Sequence, residues 1–399
     1  MASHRRVNVD SGRPLEPLAN YSRALRVGDM VLQSGTTAID TAGNVIGEGD
    51  VAKQVDAIMD IAQGTMAQAG GRLDDVVRTR VYLTDIALAD QAGRALAKYF
   101  RDVRPVGTVV QVNRLARPTQ LIEIELDAVD GAKETAQRIS SGRPSEETYA
   151  YSRAVRVGER VFIAGSTALG DQGVVSHPGD LYGQSRDTYE LILEALDQAG
   201  GAPGDLVYTK TFVTDLAQAT EHRRARLAAL GEIRPTATLL GIPALFTPEM
   251  LVEIEAEAII GAAGNRQDFY SGDENEKPRG YARAVAVGDV VHVSGCTSMD
   301  ENGVVQAPGD WAGQYDICHE KITAALAQAG ASLDDVVRRR SFTVAGAEQN
   351  RPHGEGPAWF KDSRPVSMGC RISGLALPEM LVEIDAWAVK GAHKDIEWL

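Results

Sequence analysis

Tyr21, Tyr151 and Tyr281 stand 130 residues apart, and the same interval separates Gly35, Gly165 and Gly295, then Pro105, Pro235 and Pro365, then Glu123, Glu253 and Glu383. A spacing kept by four kinds of residue makes the 399-residue chain three copies of one unit. The period exceeds the roughly 20 to 50 residues of a solenoid repeat, so each copy is expected to enclose its own core, as domains of about 100 to 150 residues do. Three domains follow, at 1–130, 131–260 and 261–399, arranged as an open array or as a closed ring. Even the connecting stretches keep register, since Ser11-Gly12-Arg13-Pro14 recurs at 141–144 and more faintly as Ser271-Gly272.

Composition narrows the class. With 44% apolar residues, 24% charged and a net charge of -14, the chain reads as an acidic globular protein. Nucleic acid is a poor partner for it, because backbone binding needs clustered Lys and Arg, and His4-Arg5-Arg6 reads as a solvated terminus. No apolar run approaches the ~18 residues of a membrane span and no signal-peptide core is present, so a cytoplasmic location is expected. Cys296, Cys318 and Cys370 all lie in the third copy without Cys-x-x-Cys spacing, which suits small buried thiols. The seven histidines show no metal-binding spacing and there is no Gly-rich phosphate loop, so neither a metal nor another cofactor is expected.

Comparing the copies gives the secondary structure of one unit. Val31 to Ser34, Val161 to Ala164 and Val291 to Ser294 are β-branched and apolar runs stopped by a glycine, each preceded by a Val-Gly-acid hairpin turn and, in the first copy, by a strand over 22–27. Residues 51–69 carry apolar positions at helical spacing ahead of Gly70, and equivalent helices are expected over 189–199 and 317–329. A strand over 76–83, a helix over 88–100 and strands over 108–112 and 121–129 complete the order β-β-α-β-α-β-β. This is an α+β unit, two helices on one face of a mixed sheet. In the last strand Glu123 and Glu125 share a face, as do Glu253 and Glu255, then Glu383 and Asp385. That face is either a solvated edge or the wall of a cleft between copies.

Tyr-Ser-Arg-Ala (21–24), Ser-Gly-Thr (34–36), Leu-Asp-Asp-Val-Val (73–77), Tyr-Leu-Thr-Asp (82–85), Arg-Pro (104–105) and Ile-Glu-Ile-Glu (122–125) together resemble the Rid family, the reactive intermediate deaminases also called YjgF-like or L-PSP proteins. The resemblance covers nearly the whole chain. It implies chorismate-mutase-like domains and a trimer with ligand clefts between subunits, so that three fused copies would form a pseudo-trimeric ring, itself a monomer or low-order oligomer. Connecting segments of about 18 residues, up to ~60 Å when extended, are long enough to reach from one domain to the next.

Active members of the family hydrolyse enamines and imines to ketones and ammonia. Resemblance therefore implies a cofactor-independent hydrolase or deaminase acting on a small, carboxylate-bearing C–N substrate; the alternative is a binding or assembly protein that keeps the fold without the chemistry. The expected catalytic residues are Glu123, Glu383, Ser34 and Ser294. Tyr21, Tyr151, Tyr281, Glu253, Arg114 and Arg371 complete the expected substrate-binding set. The arginine that the family places two residues after the proline is absent, its positions being Gly107, Ala237 and Ser367. No such side chain forms the bidentate pair that a guanidinium makes with a carboxylate. Arg371, an even number of residues beyond Ser367, shares its strand face; it either restores a cation to the pocket or is a surface arginine. Ala164 in place of the serine marks the second copy as the most eroded.

Overall fold

The computed structural model describes residues 4–170, 173–347, 349–351 and 359–399. Each copy contributes six strands in the same order. In the first these are β1 (Arg6–Val9), β2 (Ala24–Val27), β3 (Met30–Thr37), β4 (Val76–Leu83), β5 (Val106–Gln111) and β6 (Ile122–Val129). The second has β7 (Gln137–Ile139), β8 (Ala154–Val157), β9 (Arg160–Ser166), β10 (Leu206–Val213), β11 (Thr236–Gly241) and β12 (Val252–Ile259). The third has β13 (Gln267–Phe269), β14 (Ala284–Val287), β15 (Val290–Cys296), β16 (Val336–Val344), β17 (Val366–Ile372) and β18 (Val382–Val389). The shared sheet order runs β1-β2-β3-β6-β4-β5, antiparallel except for the final β4–β5 pair. One strand per unit exceeds expectation, because β1, β7 and β13 are short and lie in stretches that read as connectors.

A nineteenth strand, β19 (Ile396–Trp398), is the same element written a fourth time. It pairs in parallel with β1, matching Ile396, Glu397 and Trp398 to Arg6, Val7 and Asn8, residues three repeat periods away. The end of the segment expected to form the third domain thus extends the first sheet. Bonds from Arg6 N to Asp395 O and from Leu399 N to Asn8 O, both 2.9 Å, fasten it.

Helices α1 (Val51–Gln68), α2 (Ala89–Phe100), α3 (Leu181–Gln198), α4 (Ala219–Leu230) and α5 (Trp311–Gln328) cover the sheets. The long helices start at Asp50, Asp180 and Asp310, whose side chains cap a main-chain N–H three residues on. For α3 and α5 that is well before the expected starts at 189 and 317, because their first turns bury Leu181 and Trp311 but also carry a glycine and a glutamine, which blur the apolar periodicity. The stretch of the third copy equivalent to α2 and α4 is 349–360, of which 352–358 lie outside the described residues. Among the described residues no helix is long and apolar enough to cross a membrane.

The three sheets meet in a cycle: β5 packs against β9, β11 against β15 and β17 against β3. Two apolar clusters at these junctions draw on every copy, one with Tyr82, Phe212, Phe342 and Cys370, the other with Leu32, Phe162 and Val366. Each such fully buried side chain contributes roughly 1.5 to 3 kcal/mol, so the copies are joined by core as well as by chain.

A layer of buried charge also joins the copies. Arg80 donates to Glu255 at 2.8 Å and pairs with Asp127 at 3.1 Å; Arg340 pairs with Glu125 at 2.9 Å and Asp385 at 3.4 Å; Lys210 pairs with Asp385 at 2.7 Å. Arg78 pairs with Glu257, and Arg338 with Asp127. The third equivalent of those last two pairs has no charge: Tyr208 replaces the arginine and Trp387 the acid, with His292 between them at 5.8 and 5.9 Å from their ring centres. The acidic face of the last strand is therefore turned inward, and the solvated-edge alternative does not hold. Its carboxylates are 0 to 7% exposed.

Candidate active site

Three junctions between copies carry the residues singled out by sequence. In each, the register of the third strand shifts against the sixth at the Ser/Ala-Gly step, between Gln33 and Thr36 in the first copy. The shift lays Gly35, Gly165 and Gly295 directly over Glu123, Glu253 and Glu383. A Cβ on any of these glycines would lie 1.8 to 2.1 Å from the glutamate Oε1, far inside contact distance. Burial, and then the neighbouring acid two residues on, raises Glu123 and Glu383 to about 8, and burial does the same to Glu253 against a hydrogen bond from Val109 N, so the protonated form is favoured at pH 7.

The tyrosines are placed by the arginines that follow them. Arg23 donates to Tyr21 Oη at 2.7 Å, to Glu16 at 2.9 Å and to Gly35 O at 3.0 Å. Arg283 repeats this with Tyr281 at 3.2 Å, Glu276 at 2.8 Å and Gly295 O at 2.9 Å. In the second copy Tyr151 instead bonds Ser145 at 2.9 Å.

Ser34 and Ser294 stitch copies together. Ser34 Oγ donates to Ser22 O at 2.6 Å and accepts from Ser367 N at 2.8 Å; Ser294 Oγ donates to Ala282 O at 2.6 Å and accepts from Ala237 N at 2.9 Å. The hydroxyl proton is thereby committed to main chain, and what these serines touch across the junction is the neighbouring copy's strand at Ser367 and Ala237. Arg371 and Arg114 meet elsewhere, as a backbone bridge between first and third copies with Arg371 N to Arg114 O at 2.9 Å. The Arg371 side chain reaches Ala347 O at 3.4 Å. Neither arginine lines the cavity described next.

Between the second and third copies lies an open cavity of about 90 Å³, with Tyr281, Gly295 and Glu383 on one wall and Ala237 and Leu239 on the other. Arg223 and Arg226 enter it from α4, Arg279 from the loop before Tyr281, and Lys321 from α5. Among the described residues none of the four is ion-paired. Arg226 donates to Arg279 O and stands over the Tyr281 ring at 5.9 Å, Arg279 contacts Met299 Sδ at 4.0 Å, and Lys321 donates to Thr297 O at 2.9 Å and to Met299 O. Burial, then Arg279 and Arg226, lowers Arg223 from its ordinary value; burial likewise lowers Lys321.

Sequence reading missed these four cations. The signal was their failure to repeat: Arg223 answers to Gly93, Arg226 to Leu96, Arg279 to Ala19 and Tyr149, and Lys321 to Ile61 and Leu191. At the junction of the first and second copies, Tyr149 occupies the place of Arg279, packs over Gly93, and bonds Asp90 at 2.9 Å.

The sequence model described as Endoribonuclease L-PSP matches residues 12–130, 143–260 and 274–390. The chain belongs to that family. It carries that family's domain three times in tandem. An uncharacterized protein of Streptomyces coelicolor is 35% identical over 133 residues, 33% of this chain and 98% of that protein. The 3-aminoacrylate deaminase RutC of Acinetobacter baylyi is 32% identical over 120 residues, 30% of this chain and 94% of that enzyme. A solved member of the YjgF/YER057c/UK114 family from Mycobacterium tuberculosis is 39% identical, covering 32% of this chain and all of that one, with a TM-score of 0.29. Single-copy L-PSP relatives thus align with one third of the chain.

Proposed function

We propose that the chain is a Rid-type C–N hydrolase in which the cleft between the second and third copies acts on a small imine or enamine bearing an anionic group. The carrying observation is a buried Glu383, raised to about 8, in one cavity with four cations that form no ion pair among the described residues. Arg223, Arg226 and Arg279 take over, from other elements, the role of the arginine replaced by Ala237. The RutC relative's name, 3-aminoacrylate deaminase, supports the reaction class.

The chemistry follows from the protonation state. Glu383 gives its proton to the enamine carbon or imine nitrogen, leaving an iminium and a carboxylate; water adds to the iminium carbon as the carboxylate accepts its proton, giving a carbinolamine; Glu383 then passes that proton to the amino nitrogen and takes the hydroxyl proton, so that ammonia leaves as the carbonyl forms and the acid is restored. Tyr281, fixed by Arg283, borders the ligand. Positive charge around the cavity holds the substrate and would otherwise repel an iminium, which the substrate's own anion offsets.

The test is ammonia release from imines and enamines generated in place by oxidation of amino acids. Glu383→Gln should lower kcat by about 10²-fold or more, while Glu123→Gln and Glu253→Gln leave most of it. Equal loss from all three would overturn the assignment of one working cleft, and anion binding without ammonia release would favour a non-catalytic binding protein.

A further inference from the structure

Arg223 and Arg226 stand three residues apart on α4 and so share a face. Arg226 donates to Arg279 O, Arg279 Nη1 lies 4.0 Å from Met299 Sδ, and Lys321 donates to Met299 O. Four cations from three elements are thus chained by contact around one cavity, beside Tyr281 and Glu383. Arg226 is only 5% exposed, yet its Nε has no hydrogen-bond partner among the described residues. Asp273 bears on Lys321 but is turned toward Asn275, whose main-chain and side-chain nitrogens donate to it at 2.8 and 2.9 Å.

The repeated scaffold does not call for this cluster. The same positions at the junction of the first and second copies hold Gly93, Leu96, Tyr149 and Leu191, while Ala19 and Ile61 stand for Arg279 and Lys321 at the junction of the third and first. Like charges gathered without a counter-ion repel one another, and Arg223 is lowered by burial and then by Arg279 and Arg226. An anion in the cavity relieves both costs.

The number and kind of donors select that anion. A carboxylate has two oxygens, and a single guanidinium fork satisfies it, which would leave the other cations unmatched. A phosphate monoester carries nearly two charges at pH 7 on three terminal oxygens, and these suit several forks together with a lysine acting as a point charge.

We propose that this cleft holds a phosphate monoester, its dianionic phosphate gripped by Arg223, Arg226, Arg279 and Lys321. On the reading above, on which turnover alone rests, the phosphate is the anionic group of the imine or enamine that Glu383 protonates. The two ideas fail separately, because binding is measured without reaction.

Calorimetric titration of the full chain with methyl phosphate, dimethyl phosphate, acetate and inorganic phosphate is the test. Methyl phosphate is expected to bind at one site per chain, at least tenfold tighter than acetate or the singly charged dimethyl phosphate. From pH 7.5 to 5.5 its advantage over acetate should shrink about threefold, because the ester takes up its second proton near 6 while Glu383 stays largely protonated. Arg226→Gln and Lys321→Met should each weaken methyl phosphate about tenfold or more. Acetate or dimethyl phosphate binding as tightly as methyl phosphate overturns the proposal, and this comparison needs no variant to fold. Inorganic phosphate binding at least tenfold tighter than methyl phosphate assigns the site to the free ion and overturns the ester. Methyl phosphate binding with no ammonia released from any imine leaves the phosphate site standing and sinks the hydrolase. Ammonia release that excess methyl phosphate does not slow does the reverse.

Discussion

His292 and Trp387 stack with ring centres 5.9 Å apart and planes 5° from parallel, at the junction where the two sister positions set an arginine against a carboxylate. Cation and anion were exchanged together, Tyr208 on one copy and Trp387 on the next, so no charge was left alone in the core. Breaking one partner of such a pair is expensive, whereas replacing both by packed apolar groups is often neutral.

Trp387→Asp alone is therefore expected to destabilise the protein by about 3 kcal/mol. Adding Tyr208→Arg should recover a substantial part. A double-mutant cycle in urea checks this, and additive effects would show that the two positions are not a pair.

Gly295→Ala should cost about 1–3 kcal/mol, because the new methyl group takes the place of the Glu383 carboxyl and must displace it. Activity should fall with it. Gly369→Ala is the control: its Cβ would meet nothing nearer than Ser341 O at 3.7 Å, and thermal melts should hardly move.

Stability should decline as pH rises toward 8. Glu123, Glu253 and Glu383 stay protonated to about 8 in the fold but ionise near 4.5 when unfolded, so their contribution is complete below about 4.5 and is lost as pH rises through 8. Asp127 and Glu255 act oppositely. Despite burial, Arg338 and Arg80 hold them below the usual carboxylate range, and their contribution is lost in acid. Between pH 6 and 8.5 the Tm should drop by at least about 2 °C, the shift that ~1 kcal/mol gives in a large domain. A chain with all three glutamates changed to Gln should lose that decline, leaving the opposite trend of the buried His222, His292 and His319, which burial holds below 6.5 in the fold and whose neutral state costs stability only in acid.

Removing residues 395–399 should cost about 3 kcal/mol. Three main-chain bonds to β1 are lost, at about 1 kcal/mol each, together with the Arg364 contact on the Trp398 ring at 5.1 Å. The first sheet should lose hydrogen-exchange protection at Arg6 and Asp10 before the other two sheets change.

The repeat made most of the fold legible, since what recurs at a fixed spacing in three contexts is scaffold. Val76–Leu83 stands where its β-branched run places it, and the Gly28 turn has the positive φ that the Val-Gly-Asp step implies. The short strands β1, β7 and β13 were hidden because a strand of three or four residues carries no periodicity. The inward turn of Glu125 was ambiguous because alternation tells which residues share a face and not what covers it. At the cleft, Glu383 and Tyr281 could be read from repetition, whereas Arg223, Arg226, Arg279 and Lys321 are distant in sequence and converge only through the junction of two copies. Arg371 lies at the junction of the third and first copies, where its side chain reaches Ala347 O, and does not border the cavity between the second and third.

The fourth occurrence of the first strand means that the chain runs slightly more than once around its own circuit, overlapping by one element. Two equivalent segments, β1 and β19, lie side by side on the sheet that either would border alone. A permuted chain, opened in the segment near 140 and spliced across the old ends, should then assemble after deletion of one of the two. The order in which the copies are written is interchangeable, and only the neighbour each one faces is fixed.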